Sequence, residues 1–183
     1  EDDMRKDFEF VAKKLGLRKN YLIKKINNFK ALNFRQEVIF RSKKFTLIND
    51  SKATSFPSSI TILKSLKQAY WILGGIPKKG DKFSMTKKQC LNFKAYIFGK
   101  NKNYFVKKLK NKMVYENFYN LSEALKKVII DIKLQKNVNV HKTILFSPSS
   151  ASFDSFKNFE DRGRKFNNLV KKLNLEKSIH ARS

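Results

Sequence analysis

Three apolar runs, Phe45-Thr46-Leu47-Ile48, Tyr70-Trp71-Ile72-Leu73 and Thr143-Ile144-Leu145-Phe146, each pass without a spacer into a polar loop. Short runs of β-branched and aromatic residues bounded by turn signals read as buried strands. Patterns of helical period lie between them, and strands that alternate with helices specify an α/β domain with a mainly parallel sheet. In such sheets ligands bind outside the carboxyl ends of the strands. The loops Asn49 to Thr54, Gly74 to Asp81 and Ser147 to Asp154 are therefore expected at one edge, and that convergence points to a site more strongly than any single motif does.

The remaining elements follow from period and punctuation. Phe8, Val11, Ala12 and Leu15 mark a first helix that stops near Gly16, and Leu22, Ile23, Ile26 and Phe29 mark a second from Lys19 to Ala31. The period then changes, with a strand at Glu37 to Phe40, so a domain boundary is expected between Leu32 and Gln36. Pro57 or Ser58 opens a helix carrying Ile60, Leu63 and Leu66, proline being suited to a first helical position. A short helix from Thr86 to Leu91, a strand from Ala95 to Phe98, a helix from Tyr104 to Leu109 and a strand at Val114-Tyr115 come next. Asn120 and Glu123 form a capping box for a helix with Leu121, Ala124, Leu125, Val128, Ile129 and Ile132 on one stripe. The last helix carries Phe156, Phe159, Phe166, Leu169, Val170 and Leu173, with Asp154 or Ser155 as its expected cap.

Charge and chemistry narrow the function. The 183 residues fit one domain, or one with an appendage, and carry a net charge of +26. A basic chain invites phosphate neutralisation, and a nucleic-acid-binding module is the alternative reading. Yet the excess is mostly lysine, spread along every segment beside many Asn, Ile and Phe residues, the pattern an AT-rich coding sequence imposes on any protein. The single cysteine, Cys90, rules out an internal disulfide, and a reducing, cytoplasmic setting is expected. The longest apolar run, Ala69 to Leu73, is too short to cross a bilayer, and the first twenty residues lack a signal-peptide pattern. A start at Glu1 rather than methionine suggests a fragment or processed product. With His141 and His180 as the only histidines, neither a zinc cluster nor a Ser/His/Asp set is indicated,. No G-x-x-x-x-G-K-[ST] loop is present, so any phosphate loop must lie outside this chain,.

What the loops do offer is equipment for anions: Lys52, Lys78, Lys79, the hydroxyls of Thr54, Ser149, Ser150 and Ser152, and a helix N-terminus near Asp154,. Each has a plainer reading. The lysines can be solvated loop charge, Asp50 a turn cap, and Gly74-Gly75 a turn and nothing more.

At these loops the sequence resembles the D-glutamate-adding Mur ligases of peptidoglycan synthesis. The matching stretches are Phe34-Arg35-Gln36-Glu37, Ile48-Asn49-Asp50-Ser51-Lys52-Ala53-Thr54, Leu73-Gly74-Gly75 with Lys78, and Ser147-Pro148 through Ala151-Ser152-Phe153-Asp154 to Phe159-Glu160-x-Arg162-Gly163. The resemblance implies a Rossmann-like C-terminal ligase domain over 36–183, preceded over 1–35 by a helical remnant of the central ATPase domain. It implies a reaction in which ATP and Mg²⁺ activate the carboxylate of UDP-N-acetylmuramoyl-L-alanine as an acyl phosphate, which the D-glutamate amine attacks. On this resemblance Arg35, Asp50 and Lys52 contact the nucleotide, and Lys52, by the phosphates, is the expected catalytic residue. Thr54, Lys78, Ser152, Phe153 and Phe159 hold the D-glutamate carboxylates. No metal ligand is expected in this chain, and the N-terminal and central domains are missing partners, so it is not expected to act alone. Two positions depart from the pattern: Asn33-Phe34 stands where the family usually has Pro-His, and Ser55 where it has Asn.

Overall fold

The chain divides into two compact units, Glu1–Leu32 and Asn33–Ser183. The computed structural model describes residues 10, 13, 14, 16, 32–134 and 141–173. In the first unit Phe10, Lys13 and Lys14 are helical and Gly16 turns with a φ of 65°. The rest of the two helices expected there lies outside the described residues.

In the second unit six strands form one sheet in the order β1-β2-β6-β3-β4-β5. They are β1 (Glu37–Arg41), β2 (Phe45–Asn49), β3 (Ala69–Leu73), β4 (Phe93–Phe98), β5 (Val114–Phe118) and β6 (Lys142–Phe146). β1 pairs antiparallel with β2 through a tight turn, where the Ser42 hydroxyl accepts the Lys44 and Phe45 N–H groups. All other pairings are parallel. Every residue of β2, β3 and β6 is buried. That lack of alternation is what a parallel sheet covered on both faces requires.

Helices α1 (Phe56–Ser65) and α2 (Lys102–Leu109) pack with Trp71, Leu73, Ala95 and Ile97 in one core. Helices α3 (Leu121–Leu134) and α4 (Phe159–Lys172) pack with Tyr70, Ile72, Tyr96 and Phe146 in the other. Successive residues of a strand point to opposite faces, so Tyr70 and Ile72 serve one layer while Trp71 and Leu73 serve the other. Phe146 stacks on Phe166 of α4 with ring centroids 4.3 Å apart. Each such fully buried side chain contributes about 1.5–3 kcal/mol.

The helix signals held with shifts that have local causes. Asn120 accepts the Glu123 N–H at 3.0 Å, and the Glu123 carboxylate reaches back to the Tyr119 N–H. The segment from Thr86 to Leu91 is one 3₁₀ turn, Lys88–Cys90, clasped by Thr86 and Gln89. The last helix begins at Phe159, not near Asp154, and its cap is Asn158, which accepts the Asp161 N–H at 2.8 Å. Residues 152–156 instead close a turn in which the Ser155 and Phe156 N–H groups bond the Ser152 carbonyl.

Candidate functional site

Because five strands run parallel, the loops after β2, β3 and β6 emerge at the same edge, and hydrogen bonds then lock them together. Asp50 follows β2 and is almost fully buried. Its Oδ1 accepts the Gln36 N–H at 3.1 Å and its Oδ2 accepts the Ser147 hydroxyl at 2.8 Å. Burial pushes the Asp50 carboxyl up from its usual value, opposed by the Ser147 and Gln36 bonds and by the Arg35 charge. Ser147 Oγ lies 2.6 Å from Ser59 Oγ of α1, and Ser149 donates to Ser59 at 2.6 Å. A buried chain of hydroxyls thus runs from the β6 loop through α1 to the β2 loop.

The β3 loop is bound in the same way. Gly74 N–H donates to the Pro148 carbonyl, and Ile76 and Ala151 exchange both backbone bonds as an isolated antiparallel bridge. A Cβ on Gly75, whose φ is 133°, would come within 2.4 Å of the Ala151 carbonyl oxygen. The glycine here serves close approach between loops as well as the turn. Asp81, further along the β3 loop, accepts the first N–H of α1, Phe56, at 2.6 Å. That helix N-terminus is already filled by the chain's own carboxylate.

Arg162 of α4 is fully buried. Its Nε donates to the Ser51 hydroxyl at 3.1 Å, Nη2 to the Ser51 carbonyl at 2.8 Å and Nη1 to the Ser150 carbonyl at 2.9 Å. Burial draws its guanidinium down to about 10, partly offset by Asp154. One planar fork therefore ties the β2 and β6 loops to α4. Asn49 adds a second tie, donating to the Gly163 carbonyl and to Asn167.

Around this framework the expected site residues fall into two groups. Arg35, Asp50 and Lys52 come together with Gln36, Ala53, Ser58 and Thr61 about a cavity of roughly 260 Å³. Arg35 is carried there by a strained approach, Phe34 and Gln36 having φ of 61° and 49°. The turn is held by the Phe34 N–H on Glu37 and the Lys52 N–H on the Phe34 carbonyl. Phe34 also packs against the bare Cα of Gly163, which gives the Asn33-Phe34 departure a packing role. Lys52 lies 5.2 Å from the Phe159 ring centroid, reaching from the β2 loop to the start of α4.

Thr54 and Lys78 are exposed on loops that the Asp81–Phe56 bond joins. Ser152 is buried in the β6 loop, whereas Phe153 is 71% exposed and the Phe159 carbonyl is occupied by the Ser51 hydroxyl. Asp154 keeps both carboxylate oxygens inside without a hydrogen bond, and burial pushes its carboxyl up. Among the described residues no three His, Cys, Asp or Glu side chains cluster as a metal set, and no helix is long and apolar enough to cross a membrane. Sequence reasoning missed the supporting roles of Arg162, Ser59 and Ser147. For Arg162 the signal was its place beside Gly163; for Ser59 there was none.

Fold and edge define the class: a Rossmann-like α/β domain whose carboxyl edge gathers ammonium, hydroxyl and buried carboxylate groups from three interlocked loops, an arrangement consistent with a Mur ligase C-terminal domain. No protein-family profile matches the chain. Curated relatives do match: the chain is similar to the UDP-N-acetylmuramoylalanine--D-glutamate ligase of Prochlorococcus marinus (strain NATL2A), 39% identical over 177 residues, 91% of this chain and 36% of that protein. It is 36% identical to the ligase of that name from Rickettsia felis over 88% of this chain, and 35% identical to that of Wolbachia pipientis wMel over 89%. The chain is thus a relative of one part of the D-glutamate-adding Mur ligases, and it spans about a third of the length of the proteins it matches.

Proposed function

We propose that this chain is the amino-acid-binding, C-terminal part of an ATP-dependent ligase that joins D-glutamate to UDP-N-acetylmuramoyl-L-alanine in the cytoplasm, for peptidoglycan synthesis. The observation that carries the reading is the meeting of Arg35, Asp50 and Lys52 about one cavity, beside loops that bear Thr54, Lys78 and Ser152. On this reading residues 1–35 end the preceding central domain and 36–183 form the C-terminal domain.

ATP, with Mg²⁺ held mainly by the central domain, supplies the phosphoryl group that activates the sugar-linked carboxylate. The residues of this chain then have defined tasks. Asp50, fixed by Ser147 and Gln36, presents its remaining lone pairs to ribose hydroxyls. Arg35 and Lys52 offset phosphate charge, Lys52 steadied by the face of Phe159. D-Glutamate brings two carboxylates, and the Lys78 ammonium with the hydroxyls of Thr54 and Ser152 and the backbone near Phe153 and Phe159 would hold them. Holding both fixes the amine's approach to the acyl carbon, and positioning of this kind is a large part of what a ligase contributes. The second half of the site belongs to the missing domains, so the chain alone binds D-glutamate weakly and does not ligate.

The test is a fusion of this chain behind the N-terminal and central portions of a related ligase, assayed for ADP release. The expected result is turnover that requires D-glutamate and rejects L-glutamate. Lys78→Ala and Ser152→Ala should raise the KM for D-glutamate about tenfold, the loss of one charge-assisted hydrogen bond, with little change in that for ATP. Turnover indifferent to the amino acid, or robust ligation by this chain unaided, would overturn the proposal.

A further inference from the structure

The buried hydroxyls behind Asp50 have a direction. An ionised carboxylate only accepts hydrogen bonds, and the Ser147 hydroxyl donates its single proton to Asp50 Oδ2 at 2.8 Å. Ser147 Oγ therefore has only lone pairs left for Ser59 Oγ, 2.6 Å away, so Ser59 is the donor of that pair. Ser149 in turn donates to Ser59 at 2.6 Å. The other acceptor near the Ser59 hydroxyl, the Ser147 carbonyl at 3.2 Å, already takes the Trp71 indole N–H at 2.7 Å. The protons of Ser149, Ser59 and Ser147 thus all run towards Asp50.

Hydrogen bonds strung in this way polarise one another, so each donor strengthens the next. All three serines are buried, Ser149 at 1% exposure and the others at 0%, where bulk solvent does not weaken the effect. Ser149 makes its bond from a left-handed backbone, with a φ of 56°, a conformation that costs a residue with a side chain about 1–3 kcal/mol. Burial drives the Asp50 carboxyl towards its protonated form, and the Ser147 bond is the largest of the effects that oppose this, ahead of the Gln36 N–H and the Arg35 charge. Asp50 lines the cavity with Arg35 and Lys52, whereas Ser59 and Ser149 do not. Whatever they do there, they do through Ser147.

We propose that Ser59 and Ser149 are positioning residues for nucleotide binding: acting through Ser147, they hold the Asp50 carboxylate ionised and fixed in orientation, as an acceptor for ribose hydroxyls. The choice of ligand rests on the ligase reading; the effect on Asp50 does not.

The experiment has two arms, both on the isotope-labelled full chain. In the first, the side-chain carboxyl shift of Asp50 is followed against pH. The midpoint should rise in Ser149→Ala, more in Ser59→Ala and most in Ser147→Ala. Ser59→Cys, of similar shape but a weaker donor, should fall between Ser59→Ala and the unaltered chain. Ile62→Val, at another buried position of α1, loosens packing without touching the hydroxyls and should leave the midpoint where it was. In the second arm, amide shifts at residues 35, 36, 50 and 52 follow ADP and 2′,3′-dideoxy-ADP. The dideoxy compound should bind about fivefold more weakly, the net worth of one hydrogen bond, and Ser59→Ala should remove most of that preference. An unmoved midpoint in Ser59→Ala, or an equal rise in Ile62→Val, would overturn the proposal whatever ADP does. A ribose preference intact in Ser59→Ala would overturn the positioning role. A midpoint that moves as expected with no saturable ADP shift would instead overturn the nucleotide assignment, and with it the ligase reading of this cavity, leaving the hydroxyl chain's hold on Asp50 supported.

Discussion

Replacing Arg162 tests whether the carboxyl edge is a prebuilt framework. The guanidinium is fully buried and makes three hydrogen bonds, two to Ser51 and one to the Ser150 carbonyl. Bonds from a charged donor are worth about 1.5–3 kcal/mol each, a gross loss of roughly 5–9 kcal/mol. Several kcal/mol come back, because a charge no longer has to be kept from water. For Arg162→Ala the net loss is therefore about 3–5 kcal/mol, since the stranded carbonyls of Ser51 and Ser150 keep no partner. At about 2–4 °C per kcal/mol for a domain of this size, the unfolding midpoint should fall by roughly 6–20 °C. Trp71, the single tryptophan, reports the transition, and its indole N–H donates to the Ser147 carbonyl at 2.7 Å, next to the loops in question. Arg162→Lys keeps the charge but not the fork, so it should recover under half of the loss. Arg164→Ala, at an exposed neighbouring position, should stay within about 0.5 kcal/mol. A loss below about 1 kcal/mol in Arg162→Ala, or full recovery by lysine, would refute the reasoning, because the fork would then not be what joins the loops.

Gly163→Ala places a Cβ 2.4 Å from the Phe34 ring; the expected cost is about 1–3 kcal/mol, and in urea titrations Phe34→Leu in the same chain should cost less than the sum of the two single changes. Asp131, which accepts bonds from Lys94, Lys127 and Tyr96, has its carboxyl held below the usual 3.8: burial alone would raise it, and the three donors outweigh that. Its contribution is thus present above pH 3.8 and lost as pH falls through the lower folded value,. Asp131→Asn should cost about 1–3 kcal/mol near neutral pH, and denaturation at a series of pH values should show the difference closing in acid. Asp154 has the opposite sign, because burial raises its carboxyl above 3.8. Its neutral form favours folding below that pH, and the benefit is lost as pH rises through the folded value, so Asp154→Asn should raise the unfolding midpoint at neutral pH and lose that advantage in acid.

The sheet was legible where burial on both faces left uninterrupted apolar runs, as in β2, β3 and β6. It was legible only in part at β5, which runs on to Phe118 through Glu116 and Asn117. Polar residues there reflect an edge strand, with Glu116 answering Lys94. The start of α4 was misplaced because Asp154, Ser155 and Asn158 are all competent caps. Local preference does not choose among them; the turn that closes on the Ser152 carbonyl does. The three loops and their edge could be read from topology alone, whereas the roles expected of Asp50, Lys52 and Lys78 rest on resemblance. Arg162 was invisible as a framework residue, since an arginine in a basic chain reads as solvated charge until its burial is seen.

The edge separates residues that hold shape from residues that face solvent. Asp50, Ser51, Ser59, Ser147, Ser149, Ser150 and Arg162 are buried and bonded to one another across the loops. A satisfied buried network of this kind resists rearrangement, because breaking one bond strands a partner in low dielectric. Thr54 and Lys78 stand outside it, exposed, and a free lysine loses up to about 2 kcal/mol of side-chain entropy when it is ordered. Contacts to a ligand must exceed that loss before any affinity appears. A rigid base that carries an unrestrained lysine would, on the proposed function, bind weakly by itself and gain when a second surface closes over the ligand. On the proposed function, this arrangement suits a half-site that a second surface would complete.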